Sequence, residues 1–208
     1  MNKSTPDKLY HGSPVKFNKF DISKIGSNTN CSGAGIGFYF TTSIEQALSY
    51  GKYIYVVDFE KLKLKKSLSN FKRTLNGNQI IYILDSIFKI TKGEENYFEN
   101  FDDYQWNDYV NESKLKLKQT INQEIINSFI SWNDTDIIAS FINSGTINPD
   151  MIFNILHKMG YNYTMDQYDD SIYKNSQHYI LYFEPKIEER LTFKDKKSFE
   201  DYIENIQI

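Results

Sequence analysis

The sequence predicts one α+β domain over residues 1–208, and three observations point there. Tyr53 to Phe59 and His178 to Glu184 are β-branched and aromatic runs, which is strand composition. Between them, residues 75–148 carry apolar side chains at helical spacing. Strands towards both ends with helices between them favour a segregated α+β layout over parallel crossover units. A chain of 208 residues buries roughly two-thirds of its surface, enough for a core without disulfide or metal.

Taken in order, Leu9-Tyr10-His11 is a short apolar segment closed by the turn signal Gly12-Ser13-Pro14. Residues 15–30 are polar and read as loop. Gly33, Gly35 and Gly37 then lead into a short strand, Phe38-Tyr39-Phe40. Thr42 or Ser43 can cap a helix to about Tyr50, with Gln46 placed for a capping box behind Ser43, and Gly51 ends it. In the middle, 79–90 has helical spacing, 94–104 is acidic and aromatic, and 115–130 carries Leu117, Ile121, Ile125 and Phe129 in one stripe. Residues 136–143 and 150–159 are two shorter helices, the second begun by Pro149 and stopped by Gly160. Residues 195–205 form a tail helix with Phe199, Tyr202 and Ile203 on its apolar side. No internal repeat or low-complexity linker is visible.

Bulk composition narrows the function. With 40% hydrophobic and 25% charged residues the chain is globular. A net charge of −3 does not suit wholesale neutralisation of nucleic-acid phosphates, though a local basic patch is compatible with it. Cys31 is the single cysteine and cannot form an internal disulfide, which favours a reducing compartment. Residues 1–8 are polar, and no apolar run approaches the roughly 18 to 20 residues that span a bilayer. The expected location is the cytoplasm, or the cytoplasm of a target cell after delivery, without a signal peptide.

Two segments combine apolar character with polar groups at unusual places. His11 ends a strand, and Gly12 lets a backbone or a ligand approach closely. The structural alternative is a turn histidine bonded to local backbone. Residues 33–43 contain a G-x-G pair, but the glycines lead into Phe38-Tyr39-Phe40 rather than opening a long helix. That excludes a Rossmann fingerprint, and the lack of a following Lys-Ser/Thr excludes a phosphate loop. The alternative for Tyr39 is a half-buried strand aromatic.

Together the two segments resemble the ADP-ribosyltransferase superfamily in its His-Tyr-Glu branch, which includes poly(ADP-ribose) polymerases, diphtheria-type toxins and bacterial and phage relatives. Tyr-His-Gly-Ser at 10–13 is similar to the first motif and Gly-Phe-Tyr-Phe at 37–40 to the second, with residues 14–36 between them as the family has it. Tyr50 falls where relatives carry a second aromatic. Lys158 to Asn162 resembles the helix end before the last strands, and His178 to Tyr182 the third-motif strand. The likeness covers roughly residues 8–60 and 155–190. Residues 75–148 stand outside it, as a helical insertion, apart from a faint likeness of Trp106 to Val110 to a bacterial family of the same superfamily. A split β-sheet core is implied.

The resemblance implies that NAD is bound as the substrate. His11 donates a hydrogen bond to the adenosine ribose, the Gly12 backbone and Ser13 hydroxyl meet the nicotinamide amide, and Tyr39 and Tyr50 sandwich the nicotinamide ring. It implies cleavage of the nicotinamide–ribose bond through an oxocarbenium-like centre, stabilised by positioning and electrostatics. At the third position the sequence departs from the pattern. Register puts His178 where the family has glutamate, with Gln177 one step before. Both can accept a hydrogen bond, but neither carries fixed negative charge. Glu184 lies on the same strand face but about 20 Å from His178, at ~3.3 Å per residue. Glu188 and Glu189 read as solvated, and Asp169 or Asp170 are further acidic candidates.

The remaining features carry less. His11, His157 and His178 lack metal-ligand spacing, so no metal is expected. Lys61, Lys63, Lys65 and Lys66 alternate with Leu62 and Leu64 like an edge strand with a solvated basic face. Residues 162–176 read as a loop whose Tyr163, Tyr168 and Tyr173 either contact a macromolecular acceptor or simply lie at the surface. The leading expectation is a mono-ADP-ribosyltransferase acting from NAD on an unknown protein or nucleic-acid acceptor, with no membrane partner. The alternatives are a non-catalytic NAD, ADP-ribose or protein-binding module on the same fold, and an NAD glycohydrolase.

Overall fold

The computed structural model describes residues 5–25, 36–68, 148–166, 176–193 and 196–206, with 74–76, 79, 82, 83, 86, 134, 135, 138 and 139. Seven strands form one sheet in the order β4-β5-β6-β2-β1-β3-β7. They are β1 (Lys8–Ser13), β2 (Phe38–Thr41), β3 (Tyr53–Asp58), β4 (Lys66–Leu68), β5 (Tyr161–Asp166), β6 (His178–Leu181) and β7 (Glu189–Thr192). All pairings are antiparallel except β4 with β5. Three α-helices described over their whole length accompany them: α1 (Ile44–Tyr50), α2 (Pro149–Lys158) and α3 (Lys196–Ile206). This is the α+β class, with the sheet split as follows.

β1 and β2 share a single registered pair, Tyr10 with Thr41, whereas β1 and β3 pair over six residues. The sheet is therefore two ladders, β4-β5-β6-β2 and β1-β3-β7, joined at one point. Beyond Tyr10 the two central strands part, and the first- and second-motif residues lie along that seam.

Strand alternation sorts the side chains onto two faces. Leu9, Phe38, Phe40, Tyr55, Val57, Tyr179 and Leu181 form one buried cluster, covered by Phe17, Phe20, Ile22 and Ile25 of the loop after β1. On the other face, Ile44, Ala47 and Ile54 pack with Tyr10, Leu48 and Leu191 under Phe199, Tyr202 and Ile203 of α3. The apolar side expected of the tail helix is the side it buries. In α2, Phe153 stacks on Tyr182 with ring centroids 4.9 Å apart. The Tyr182 hydroxyl in turn bonds that of Thr164.

Several sequence expectations are corrected. β1 continues through Gly12 and Ser13, because both pair with β3, so the turn begins at Pro14. Residues 162–166 are strand rather than loop: the Tyr and Thr alternation of Tyr161–Asp166 fits between β4 and β6. Tyr163 is accordingly a half-buried strand residue, packed against Tyr179 at 6.1 Å, and does not stand at a surface loop. The Lys61–Lys66 alternation is not a strand. Glu60–Leu62 is a 3-10 turn, Lys63 has φ 49°, and edge strand β4 starts only at Lys66. β6 stops at Leu181 instead of running to Glu184.

In the middle, Gln79, Tyr82, Ile83 and Ser86 are helical, as are Asp134, Thr135, Ile138 and Ala139. Buried Asp134 accepts from the backbone N–H groups of Thr74 and Leu75, tying this part to the 74–75 stretch. The stretches 94–104 and 115–130, the loop with Cys31, Gly33 and Gly35, and Tyr168, Asp169, Asp170 and Tyr173 lie outside the described residues.

Candidate active site

The seam is organised by β1. His11 and Gly12 are adjacent, so their side-chain positions fall on opposite faces. His11 faces the aromatic cluster. Its ring lies 5.2 Å from Phe20, 5.6 Å from Phe40, 6.0 Å from Phe17 and 6.1 Å from Tyr55. Its Nδ1 stands 2.7 Å from the carbonyl oxygen of Tyr39. A carbonyl can only accept, so Nδ1 carries the hydrogen, and the neutral ring keeps an acceptor lone pair on Nε2. Burial lowers the His11 pKa below the ordinary imidazole value, opposed by the Tyr39 bond. The neutral form is therefore favoured near neutral pH.

Backbone alternation places Gly12 in the same seam. Thr42 N–H donates to the Gln177 carbonyl, so Thr42, and with it Phe40 and Phe38, direct their backbone groups to β6. Thr41 and Tyr39 then direct theirs to β1, which is how the Tyr39 carbonyl comes to His11. Tyr10 answers Thr41, and by the same alternation Gly12 turns its N–H and C=O into the seam opposite Tyr39.

Gly12 also sets the helix. A Cβ there would land on the carbonyl oxygen of Ala47 and stand 3.2 Å from the Cβ of Tyr50. At Gly51 a Cβ would strike the Ser13 and Pro14 backbone. The two glycines let α1 lie directly on β1, bringing Tyr50 over Gly12 on the face shared with Tyr39. Tyr50 is 61% exposed there. The Ser43 hydroxyl caps α1 by accepting from Gln46 N–H. The expected capping box is only half made: Gln46 turns its side chain inward and accepts from the Thr41 hydroxyl. The Ser13 hydroxyl accepts from Val15 N–H.

The third-motif strand lies against β2. His178 pairs with Thr41 and Ile180 with Tyr39. His178 and Tyr39 are thus diagonal neighbours on one face, a separation of roughly 7 to 8 Å. Gln177 parts from them, since its side-chain oxygen accepts from the Tyr179 hydroxyl on the other face at 3.4 Å. Of the two residues placed at the third position, His178 comes to the Tyr39 face. On its other side His178 is registered with Asp166 of β5. Glu184 is engaged elsewhere, accepting from Ile22 N–H at 2.8 Å. Glu188 pairs with Lys61 at 3.2 Å and Glu189 with Lys8 at 3.9 Å.

This arrangement of seam, histidine and tyrosines can be set beside known proteins. The model of the family described as ADP-ribosyltransferase in polyvalent proteins matches residues 2–187. The chain belongs to this ADP-ribosyltransferase family. The match spans the middle of the chain, residues 75–148, as well as strands β1 to β6. No curated protein and no solved structure matches the chain.

Membership does not supply the third-motif carboxylate, since the residue on the Tyr39 face is His178. Among the described residues no group of three or more His, Cys, Asp or Glu side chains is placed to hold a metal ion. No described helix is long and apolar enough to cross a membrane. His157, in α2, has its ring 6.2 Å from that of Phe183.

Sequence reasoning missed the residues that surround His11. Tyr55 is fully buried and cross-strand from His11. Its hydroxyl accepts from Phe17 N–H at 2.6 Å and donates to the Val15 carbonyl at 3.3 Å. The signal was present in the alternation of Tyr53, Tyr55 and Val57, which puts a phenol on the face of Leu9 and His11.

Proposed function

We propose that the chain is a mono-ADP-ribosyltransferase that takes ADP-ribose from NAD and transfers it to a macromolecular acceptor. The observation that carries this is the seam itself: the His11–Tyr39 bond crosses it, Gly12 turns its backbone into it, and Tyr39, Tyr50 and His178 gather on one face beside it.

In this reading the residues divide the work. The Gly12 N–H and C=O suit a carboxamide, which offers one acceptor and a donor pair. Tyr39 and Tyr50 supply aromatic walls for a planar nicotinamide ring. His11 presents Nε2 as an acceptor, so it takes a hydrogen bond from a ribose hydroxyl instead of donating one. Cleavage breaks the nicotinamide–ribose bond, whose electron pair leaves with nicotinamide. A nucleophile of the acceptor joins the ribose carbon and gives up its proton. His178 can accept a hydrogen bond from the nicotinamide ribose but lends no fixed negative charge to the developing cation. Losing one such stabilising group slows a reaction by roughly 100-fold or more.

That replacement favours a second reading, a module that binds NAD or ADP-ribose without turning it over. Two measurements on the whole chain separate them: calorimetric titration with NAD, and incubation with labelled NAD and a cell lysate. Label on a macromolecule with nicotinamide released supports the transferase. Binding without either product supports the module. Free ADP-ribose without labelled macromolecule indicates hydrolysis. Absence of both binding and turnover, with His11→Ala matching the parent protein, overturns both readings.

A further inference from the structure

The loop after β1 is fastened at separate points, and each fastening reaches it from a different element. Tyr55 of β3 holds both sides of the 15–17 turn, accepting from Phe17 N–H at 2.6 Å and donating to the Val15 carbonyl at 3.3 Å. Arg190 of β7 donates to the Phe17 carbonyl and to the Asn18 side chain, both at 3.3 Å. Glu184, after β6, accepts from Ile22 N–H at 2.8 Å. The result is specific. Phe17 stacks on the Tyr55 ring at 3.8 Å with planes 11° apart, and Phe17 and Phe20 both set an edge against His11.

A buried phenol must find partners for its hydroxyl, and Tyr55 finds both of them on a loop backbone. Here the hydroxyl satisfies one donor and one acceptor of a turn that has no ladder of its own. The ring bearing that hydroxyl is the cross-strand partner of His11. We propose that Tyr55 is a positioning residue for His11: its hydroxyl shuts the Val15–Phe17 turn over the imidazole, fixing the ring with Nδ1–H on the Tyr39 carbonyl and Nε2 as the acceptor.

The groups around His11 leave this enclosure as the main influence on its titration. From β3 it meets the Tyr55 phenol, from β2 Phe40 and the Tyr39 carbonyl, and from the loop Phe17 and Phe20. The charged residues of the loop point elsewhere: Lys16, Lys19 and Lys24 are exposed, and Asp21 accepts from Ser23 N–H and hydroxyl. Arg190 of β7 engages the outer backbone of the loop. Burial is the first cause of the lowered His11 pKa, and burial is what the turn supplies.

The proposal rests on the NAD reading only for its consequence in binding, and its test is separable. Tyr55→Phe keeps the ring and removes both loop bonds. NMR titration of the imidazole protons, with the His11 signal assigned through His11→Asn, reads the enclosure directly. In Tyr55→Phe the His11 pKa should rise towards the ordinary value of 6.5, while His157 titrates as in the parent. NAD affinity should fall roughly tenfold, the effect of about one net hydrogen bond. Arg190→Ala, which leaves the core untouched, should move His11 the same way by less. A folded Tyr55→Phe protein with an unmoved His11 titration overturns the proposal, and so does an equal shift at His157. If Tyr55→Phe does not fold, Arg190→Ala decides by the same readout. A His11 shift in a protein that binds no NAD keeps the positioning role and overturns the NAD reading instead.

Discussion

The Nδ1 of His11 lies 2.7 Å from the carbonyl oxygen of Tyr39, and this bond crosses the sheet where the β1–β2 ladder has stopped. A side chain therefore does what the backbone no longer does there. It satisfies a strand carbonyl and holds the two halves of the sheet at a fixed separation. The same bond fixes the tautomer, so the histidine is both a tie across the seam and the acceptor beside it.

His11→Ala should lower stability by about 1–3 kcal/mol, the cost of leaving a polar group without its partner. His11→Asn, whose side-chain amide can donate, should recover part of that loss. Urea denaturation of the three proteins measures it. Both variants should also lose NAD affinity. An alanine variant with unchanged midpoint and unchanged binding removes the bond from either role.

Gly12→Ala tests the fit of α1. The added Cβ meets a backbone carbonyl, that of Ala47, which cannot swing aside as the end of a flexible side chain can. Overpacking of this kind costs about 1–3 kcal/mol. The helix must lift to relieve it, and Tyr50 lifts with it. The expected outcome is a lower melting temperature together with weaker NAD binding. Normal stability would mean that β1 and α1 have room that the close approach of Gly12 to Ala47 denies.

Much of this site was legible in the sequence because its parts are local. His11-Gly12 and Tyr39 sit in short apolar runs, and Ser43, Gly51 and Pro149 are helix signals whose physics involves a few neighbours. β5 and β7 were not legible, because Tyr161–Asp166 and Glu189–Thr192 are polar enough to read as loop and become strands by pairing with β6 and β3. β4 was obscured for the opposite reason. Its Lys-Leu alternation looked like strand too early, while the left-handed Lys63 and the bond from Lys65 N–H to Asn162 delay the ladder to Lys66. The enclosure of His11 was hidden because it joins Tyr55 to Phe17 and Arg190 to Asn18, contacts between residues far apart in the chain.

Stability should fall on mild acidification. His11 is held below the ordinary imidazole value by burial, and so is His157, chiefly by burial and then by the Lys65 charge. The unfolded chain therefore takes up protons before the folded chain does. Their contribution is fully present above 6.5 and is lost as pH falls from there through the folded values. Comparing urea midpoints at about pH 7.5 and about pH 5.5 measures the loss. It should be smaller in His11→Asn than in the parent. An equal loss in both would place the acid sensitivity elsewhere.

The third position offers the sharpest test of what the seam does. His178 shares a face with Tyr39, and in the proposed function this is the place where a carboxylate would support positive charge on the ribose. His178→Glu introduces that charge without altering the seam, since His11 and Tyr39 are held by their own bond and Gly12 by the register of β1 on β3. If loss of the carboxylate is what limits turnover, His178→Glu should release nicotinamide from NAD faster, by something on the order of 100-fold. NAD affinity should change much less, because the added interaction strengthens as charge develops in the transition state. The result needs a thermal melt beside it, because an added carboxylate in a partly buried strand costs some stability. Faster turnover would assign the site to NAD cleavage and show that the parent operates without its strongest electrostatic aid. Slower turnover in a folded variant would mean that the imidazole is the working group, and that the parent is adapted to it. A folded variant that binds NAD and stays inert, like the parent, would favour the binding module.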